Sequence, residues 1–351
     1  MHKESLNSMS NFNTRVDRPR VALLGIPVDQ LDTAAVLDCI FALASRPHAG
    51  SPRMIATLNV DFIVNALKLW HHRCIPGLLD VLRSAALVTP DGMPLILLSR
   101  LLGAPLPERV TGADLVPQIA ERAAVTGTRL YFLGGAADVT NYAAELLTQR
   151  YPNLCIVGVD TSLVKLDESM ATSVQNADIC ARINAARPDL LLVALGNPKQ
   201  ELWLARHMAM LRVPVAMGVG GTFNFISGKV SRAPRWVQVV GLEFVYRIIQ
   251  EPKRLWKRYL LGLIVFNVLS VLALAGFALW VLLRPFSRSD GIVREFTGTV
   301  VLDCRGVLFA NNPFRIHFLD AKLYANQNGL AFKTVNVAWL LRLQMEAHRL
   351  N

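Results

Sequence analysis

From Val21 onward the chain alternates short apolar runs with longer stretches of helical spacing. The short runs predict strands at Val21 to Gly25, Met54 to Leu58, Ala86 to Thr89, Arg129 to Leu133, Cys155 to Val159, Leu190 to Leu195 and Val215 to Val219. Between them, helix-length segments include Leu95 to Leu102, Ala113 to Thr126, Val139 to Arg150 and Lys199 to Leu211. Such alternation predicts an α/β fold, a mostly parallel Rossmann-like sheet with helices on both faces. Residues 1–19 carry little apolar content and read as a disordered leader, and 20–242 as the main domain.

The pattern changes after Leu242. Residues 243–259 have helical spacing and carry Arg247, Lys253, Arg254, Lys257 and Arg258, a basic helical appendage. Residues 260–283 then hold no formal charge, a length that can cross a hydrocarbon core of ~30 Å. A buried helix of that length usually keeps one polar face, so a membrane segment is the expected reading. The basic cluster before it places the main domain on the cytoplasmic side of the inner membrane. Residues 284–351 read as a small α/β tail, with strands at Thr299 to Asp303 and Ala331 to Val335. Helices are expected near Phe318 to Gln327 and in a final stretch ending at His348.

Composition sharpens this picture. The net charge of +11, from 37 Lys and Arg against 26 Asp and Glu, favours a polyanionic partner. The five cysteines stand singly, which argues against a disulfide framework and a zinc site. No P-loop occurs, which counts against a P-loop NTPase, and no early G-x-G-x-x-G with a following acid occurs, which counts against a nucleotide-binding oxidoreductase or epimerase. There is no D-x-D, the pair with which metal-dependent sugar transferases commonly hold a cation, so no metal and no cofactor is expected. Leaving-group charge would then fall to Arg, Lys and backbone donors.

Ligands of open α/β sheets bind beyond the carboxyl ends of the strands. Polar and glycine-rich clusters fall there: T-L-N-V-D (Thr57 to Asp61), T-P-D-G-M-P (Thr89 to Pro94), L-G-G (Leu133 to Gly135), A-L-G-N-P-K-Q-E (Ala194 to Glu201) and G-V-G-G-T-F-N-F (Gly218 to Phe225). Any one of them could be only a tight turn; five together point to a shared cleft. Gly134, Gly135, Gly196, Gly220 and Gly221 would let backbone N–H groups approach a diphosphate. Asp91 is the candidate general base, with a helix cap as the structural alternative. Thr57 and Asn59 are candidates for sugar or diphosphate contacts, or else turn formers. Lys199 and Gln200 could orient donor hydroxyls and phosphate, or lie in a solvated first turn. Arg109, and Arg232 in K-V-S-R-A-P-R-W, complete the basic candidates. Basic residues beside aromatics also suit RNA, but here they flank an apolar segment, so no nucleic-acid partner is expected.

Taken together, these motifs resemble the WecG/TagA/CpsF glycosyltransferase family, also called glycosyltransferase family 26. The similar stretches include L-L-G-A-P-L-P-E-R-V-T-G-A-D-L, G-V-G-G-T-F-N-F-I-S-G-K-V-S-R-A-P-R-W and G-L-E-F-V-Y-R-I-I-Q-E-P-K-R-L-W-K-R-Y, in family order from about residue 21 to 259. The resemblance implies an inverting, metal-independent transfer from a UDP-sugar donor to a polyprenyl-diphosphate-linked glycan acceptor, in cell-surface polysaccharide synthesis. It implies Asp91 as catalytic base, cleft roles for Thr57 and Gln200, and closing arginines at Arg247, Arg254 and Arg258. The implied partners are the donor, the acceptor and membrane lipids, and a homo-oligomer is left open. The apolar segment departs from a family that is usually peripheral. The tail faintly resembles half of a STAS domain, which would allow a noncatalytic membrane regulator as a third reading.

Overall fold

The computed structural model describes residues 18–45, 51–67, 75–162, 164, 174–283, 292–296, 299–304, 312–335 and 337. The leader up to residue 17 and the expected last helix lie outside the described residues. The chain begins with β1 (Arg20–Leu23), β2 (Ile26–Asp29), α1 (Thr33–Ala44), β3 (Arg53–Leu58), α2 (Val60–Ala66), α3 (Leu78–Ser84), β4 (Leu87–Pro90) and α4 (Met93–Leu101). There follow α5 (Gly112–Thr126), β5 (Arg129–Gly134), α6 (Ala137–Arg150), β6 (Cys155–Asp160), α7 (Val174–Ala186), β7 (Leu190–Ala194), α8 (Lys199–His207) and β8 (Val215–Gly218). The last elements are α9 (Thr222–Ile226), α10 (Arg235–Val239), α11 (Glu243–Gln250), α12 (Pro252–Leu283), β9 (Ile292–Phe296), β10 (Thr299–Asp303), α13 (Asn312–Gln327) and β11 (Ala331–Val335).

These elements fall into two units. One comprises Leu31–Leu95 and Pro107–Leu263, the other Met1–Gln30, Ile96–Leu106 and Ile264–Asn351. The first unit is built on a six-stranded sheet of order β4-β3-β8-β7-β5-β6. Every pairing in it is parallel, with Ile55 opposite both Leu87 and Met217. Its central strands are apolar along their whole length, as β7 with Leu190 to Val193 fully buried illustrates. That is what a strand covered on both sides requires. The helices around it bury Ile40, Leu115, Ile119 and Ala143 against Phe132, Leu192 and Met217. The ends of α5 are set locally: the Thr111 side chain accepts from Asp114 N–H, and Gly127 closes the helix at φ 71°.

Three expectations are corrected. The first apolar run does not join the parallel sheet. It turns back on itself as the antiparallel β1–β2 hairpin, Leu23 opposite Ile26, through Leu24 and Gly25 at φ 51° and 81°. A two-residue turn with both φ positive matches strand twist, so one continuous apolar run holds two short strands. Second, the basic helix expected over 243–259 is two helices. Glu251 leaves the helical region at φ −131°, ψ 61°, because the ring of Pro252 disfavours a helical residue before it. From Pro252 the chain runs unbroken for 32 residues, so Lys253, Arg254, Lys257 and Arg258 fall in the opening turns of the apolar helix itself, while Arg247 stays on α11. Third, the tail has a strand that the pattern did not suggest. β9 pairs antiparallel with β10, which pairs parallel with β11. In that second unit Ala22, Leu302, Phe314 and Phe318 share a small core, and Arg20 binds Asp320 through 2.6 and 2.9 Å hydrogen bonds.

Candidate functional site

In the sheet, β3 connects outward to β4, whereas β8 is reached from the opposite side through β7. The segments leaving the carboxyl ends of these strands line a cleft of about 1230 Å³. Segments from α11 and the first turns of α12 complete its wall, including Glu243, Phe244, Arg247 and Tyr259. The whole lining belongs to the first unit.

Asp91 lies on this lining, directly after β4. Its backbone is fixed by a 2.7 Å hydrogen bond from its N–H to the Leu58 carbonyl on β3. Among the described residues its carboxylate caps no helix N–H, so the structural alternative gains nothing. Burial pushes the Asp91 carboxyl up to about 7, and the Glu243 carboxylate adds to the rise. The guanidinium groups of Arg109 and Arg247 pull the other way, and Asp114 pushes it up further. A carboxyl that ionises near neutrality can take a proton from a hydroxyl and return it to solvent.

Thr57, Asn59, Asp91, Arg109, Gly196, Lys199, Gln200, Gly220, Gly221 and Arg247 all line the cleft. Their engagements differ. Asn59 caps α2, its Oδ1 accepting from Phe62 N–H at 3.2 Å, and also accepts from the Asn197 amide. Thr57 is buried, with Oγ1 3.5 Å from the Gly218 carbonyl. The Gln200 amide is engaged at both ends: Nε2 donates to Glu201 at 2.7 Å, and Oε1 accepts from Gly220 N–H at 3.0 Å. It thereby holds the Gly220–Gly221 turn. Arg247 sits against that turn, its Nη2 3.9 Å from where a Cβ on Gly221 would lie. Its guanidinium also stacks on Phe225 at 5.4 Å and donates to Tyr259 Oη at 3.4 Å.

Arg109 enters from the loop before α5. It donates to Glu243 at 2.5 Å and to Gln238 at 2.8 Å, and approaches Asp114 at 3.7 Å. Three expected residues fall outside the lining. Arg232 spends its guanidinium on Asp114, at 2.5 and 2.7 Å. Burial alone would raise the Asp114 carboxyl, but the hydrogen bonds from Arg232 and Thr111 hold it below the usual carboxylate range. Gly134 and Gly135 serve the junction of β5 with α6. A Cβ on Gly135 would come within 2.3 Å of Thr140 Oγ1, which itself donates to the Gly134 carbonyl. The side chains of Arg254 and Arg258 lie outside the described residues.

Sequence reasoning missed Glu243, Gln238, Asn197, Asp114 and Glu201. Glu201 had a local signal, an acid in the opening turn of a helix whose Trp203 and Leu204 are apolar. Glu243 and Gln238 had none, because their partner Arg109 stands 134 and 129 positions away.

Residues 21–277 match the model of the Glycosyl transferase WecG/TagA/CpsF family. Among similar proteins is an N-acetylglucosaminyldiphosphoundecaprenol N-acetyl-beta-D-mannosaminyltransferase of Bacillus spizizenii, 33% identical over 51% of this chain and 66% of its own. The protein of that name in Bacillus subtilis strain 168 is 31% identical over 59% of this chain and 75% of its own. A third, from Staphylococcus aureus strain MW2, is 27% identical over 69% and 89% respectively.

Proposed function

Because the chain belongs to the WecG/TagA/CpsF glycosyltransferase family, we propose that it moves an N-acetylhexosamine from a UDP-sugar to a polyprenyl-diphosphate-linked sugar. The observation that carries this reading is Asp91 at the cleft, a carboxyl raised to about 7 in the space that Arg247 and the Gly220–Gly221 turn border. Relatives named for transfer of N-acetylmannosamine to N-acetylglucosaminyldiphosphoundecaprenol supply the donor sugar and acceptor to try first.

The donor diphosphate lies against the Gly220–Gly221 turn, with Arg247 on one side and Lys199 at the start of α8. The acceptor hydroxyl loses its proton to Asp91 as its oxygen attacks the anomeric carbon. The bond from that carbon to the diphosphate breaks on the opposite face, so configuration inverts and UDP departs. Charge on the leaving diphosphate is met by Arg247, Lys199 and backbone N–H groups, without a metal.

Asp91→Asn keeps shape and removes basicity. Loss of a general base costs ~10²–10⁴-fold in rate, so kcat falls by that order while UDP still binds. Since only ionised Asp91 accepts a proton, wild-type turnover rises as pH passes through about 7. The same assay, with UDP-N-acetylmannosamine and N-acetylglucosaminyldiphosphoundecaprenol, runs undiminished in EDTA. Unchanged turnover in Asp91→Asn would remove the base from the mechanism, and inhibition by EDTA would remove metal independence.

A further inference from the structure

Arg109 and Asp91 line the same cleft, one a permanent cation and the other a carboxyl that must stay basic. A carboxylate captured by a guanidinium is a weak base, because the ion pair stabilises its charged form. Arg109 is not left to do this. Its Nη1 is bound by Glu243 Oε2 and its Nη2 by Gln238 Oε1 at 2.8 Å, both from the α10–α11 segment. Gln238 is itself held, its Nε2 donating to the Ala233 carbonyl at 2.7 Å.

We propose that Glu243 is a positioning residue for the catalytic base: by neutralising Arg109 at the cleft wall, it keeps Asp91 from becoming an arginine-paired carboxylate. The charged groups that act on Asp91 are Glu243 and Arg247 on α11, Arg109 in the loop before α5, Asp114 on α5, and Arg232 in the loop before α10, itself bound to Asp114. Asp114 binds Arg232 closely and reaches Arg109 only at 3.7 Å, against 2.5 Å for Glu243, and Arg247 faces Phe225 and Tyr259. Glu243 is therefore the closest anionic partner of Arg109, and its charge sets most of how strongly Arg109 acts on Asp91. Removing its charge has two effects of the same sign. A carboxylate that disfavours ionisation of Asp91 disappears, and Arg109 is released to favour it. The inference rests on the assignment of Asp91 as base for its functional meaning, but its electrostatic content does not require turnover.

The test is a titration of the Asp91 carboxyl by ¹³C NMR in the full chain in detergent, with labelled aspartate and Asp91→Asn to assign the signal. In the wild type the midpoint lies near 7. In Glu243→Gln it moves to lower pH, and the acid limb of kcat/KM moves with it. Arg109→Gln moves the midpoint the opposite way, and keeps the proposal testable should Glu243→Gln fail to fold. A purely structural role for Glu243 would lower activity with the midpoint in place. An unmoved midpoint in Glu243→Gln, or in Arg109→Gln where that alone folds, overturns the proposal. Midpoints that shift as stated beside an Asp91→Asn variant of undiminished turnover would instead overturn the assignment of Asp91 as base and leave the electrostatic pairing standing.

Discussion

Glu201 has no exposed surface, and its Oε1 accepts from Gln200 while packing against Gly218, where a Cβ would come within 2.3 Å of it. Burial pushes its carboxyl up to about 8, against which the Gln200 hydrogen bond pulls only partly. The folded state therefore holds a proton that the unfolded chain releases above its ordinary pKa near 4.5. Stability contributed at low pH is lost as pH rises through that window toward about 8. Glu201→Gln cannot ionise and keeps an acceptor for Gln200, so its stability relative to wild type rises across the window, by on the order of a few kcal/mol. Thermal unfolding of both proteins at pH 5 and pH 8.5 checks this; parallel pH dependence would mean that Glu201 is solvated. The same pair marks a limit on reading a site from sequence. Position at or just after a strand's carboxyl end brought Thr57, Asn59, Asp91 and Gln200 to the cleft lining, because strand ends share one edge of the sheet. It could not say which polar atoms are already used. The Asn59 oxygen caps α2, and the Gln200 amide is occupied at both ends.

The strands were legible because β3, β5, β7 and β8 are short and mostly apolar, and β5, β7 and β8 are followed by glycine-containing turns. The arrangement of α10, α11 and the start of α12 was not, since its partners are distant in sequence and Pro252 breaks what helical spacing alone would continue. Yet among the described residues this stretch supplies a cation 3.9 Å from where a Cβ on Gly221 would lie. Arg247 comes from α11, and its guanidinium is positioned by the Phe225 ring and Tyr259. Hydrogen bonds to charged groups contribute about 1.5–3 kcal/mol. If Arg247 meets the donor diphosphate, Arg247→Ala weakens UDP binding by roughly 10- to 100-fold. Calorimetric titration with UDP measures it, with the melting temperature as a control for folding. UDP binding as tight as in the wild type would take α11 out of the donor site.

At the scale of the whole chain, α12 is the element that would meet a membrane. Its segment Leu255–Ala278 has a mean hydropathy of 2.4 and only 22% of it is buried, which a core helix of a soluble protein does not usually show. Leu260, Leu261, Ile264, Val271 and Leu272 are each at least half exposed. On α10 and α11, Trp236 and Ile249 are exposed as well, as is Val240 just after α10. For the proposed polyprenyl-linked acceptor such a surface would be useful, because the reacting sugar would not leave the membrane plane. Two forces would hold it there. Basic residues such as Lys253 and Lys257 contribute about 1 kcal/mol each near an anionic surface, screened within a Debye length of about 8 Å. Each apolar side chain buried in lipid contributes ~1.5–3 kcal/mol that salt does not screen. Over a helix of this length the second outweighs the first several-fold. Membranes carrying the full chain should therefore retain it through 1 M salt and through a carbonate wash. Release by salt alone would mean that only the basic turns touch lipid. Release by carbonate but not by salt would place α12 on the membrane surface, with its apolar residues covered by protein rather than by acyl chains.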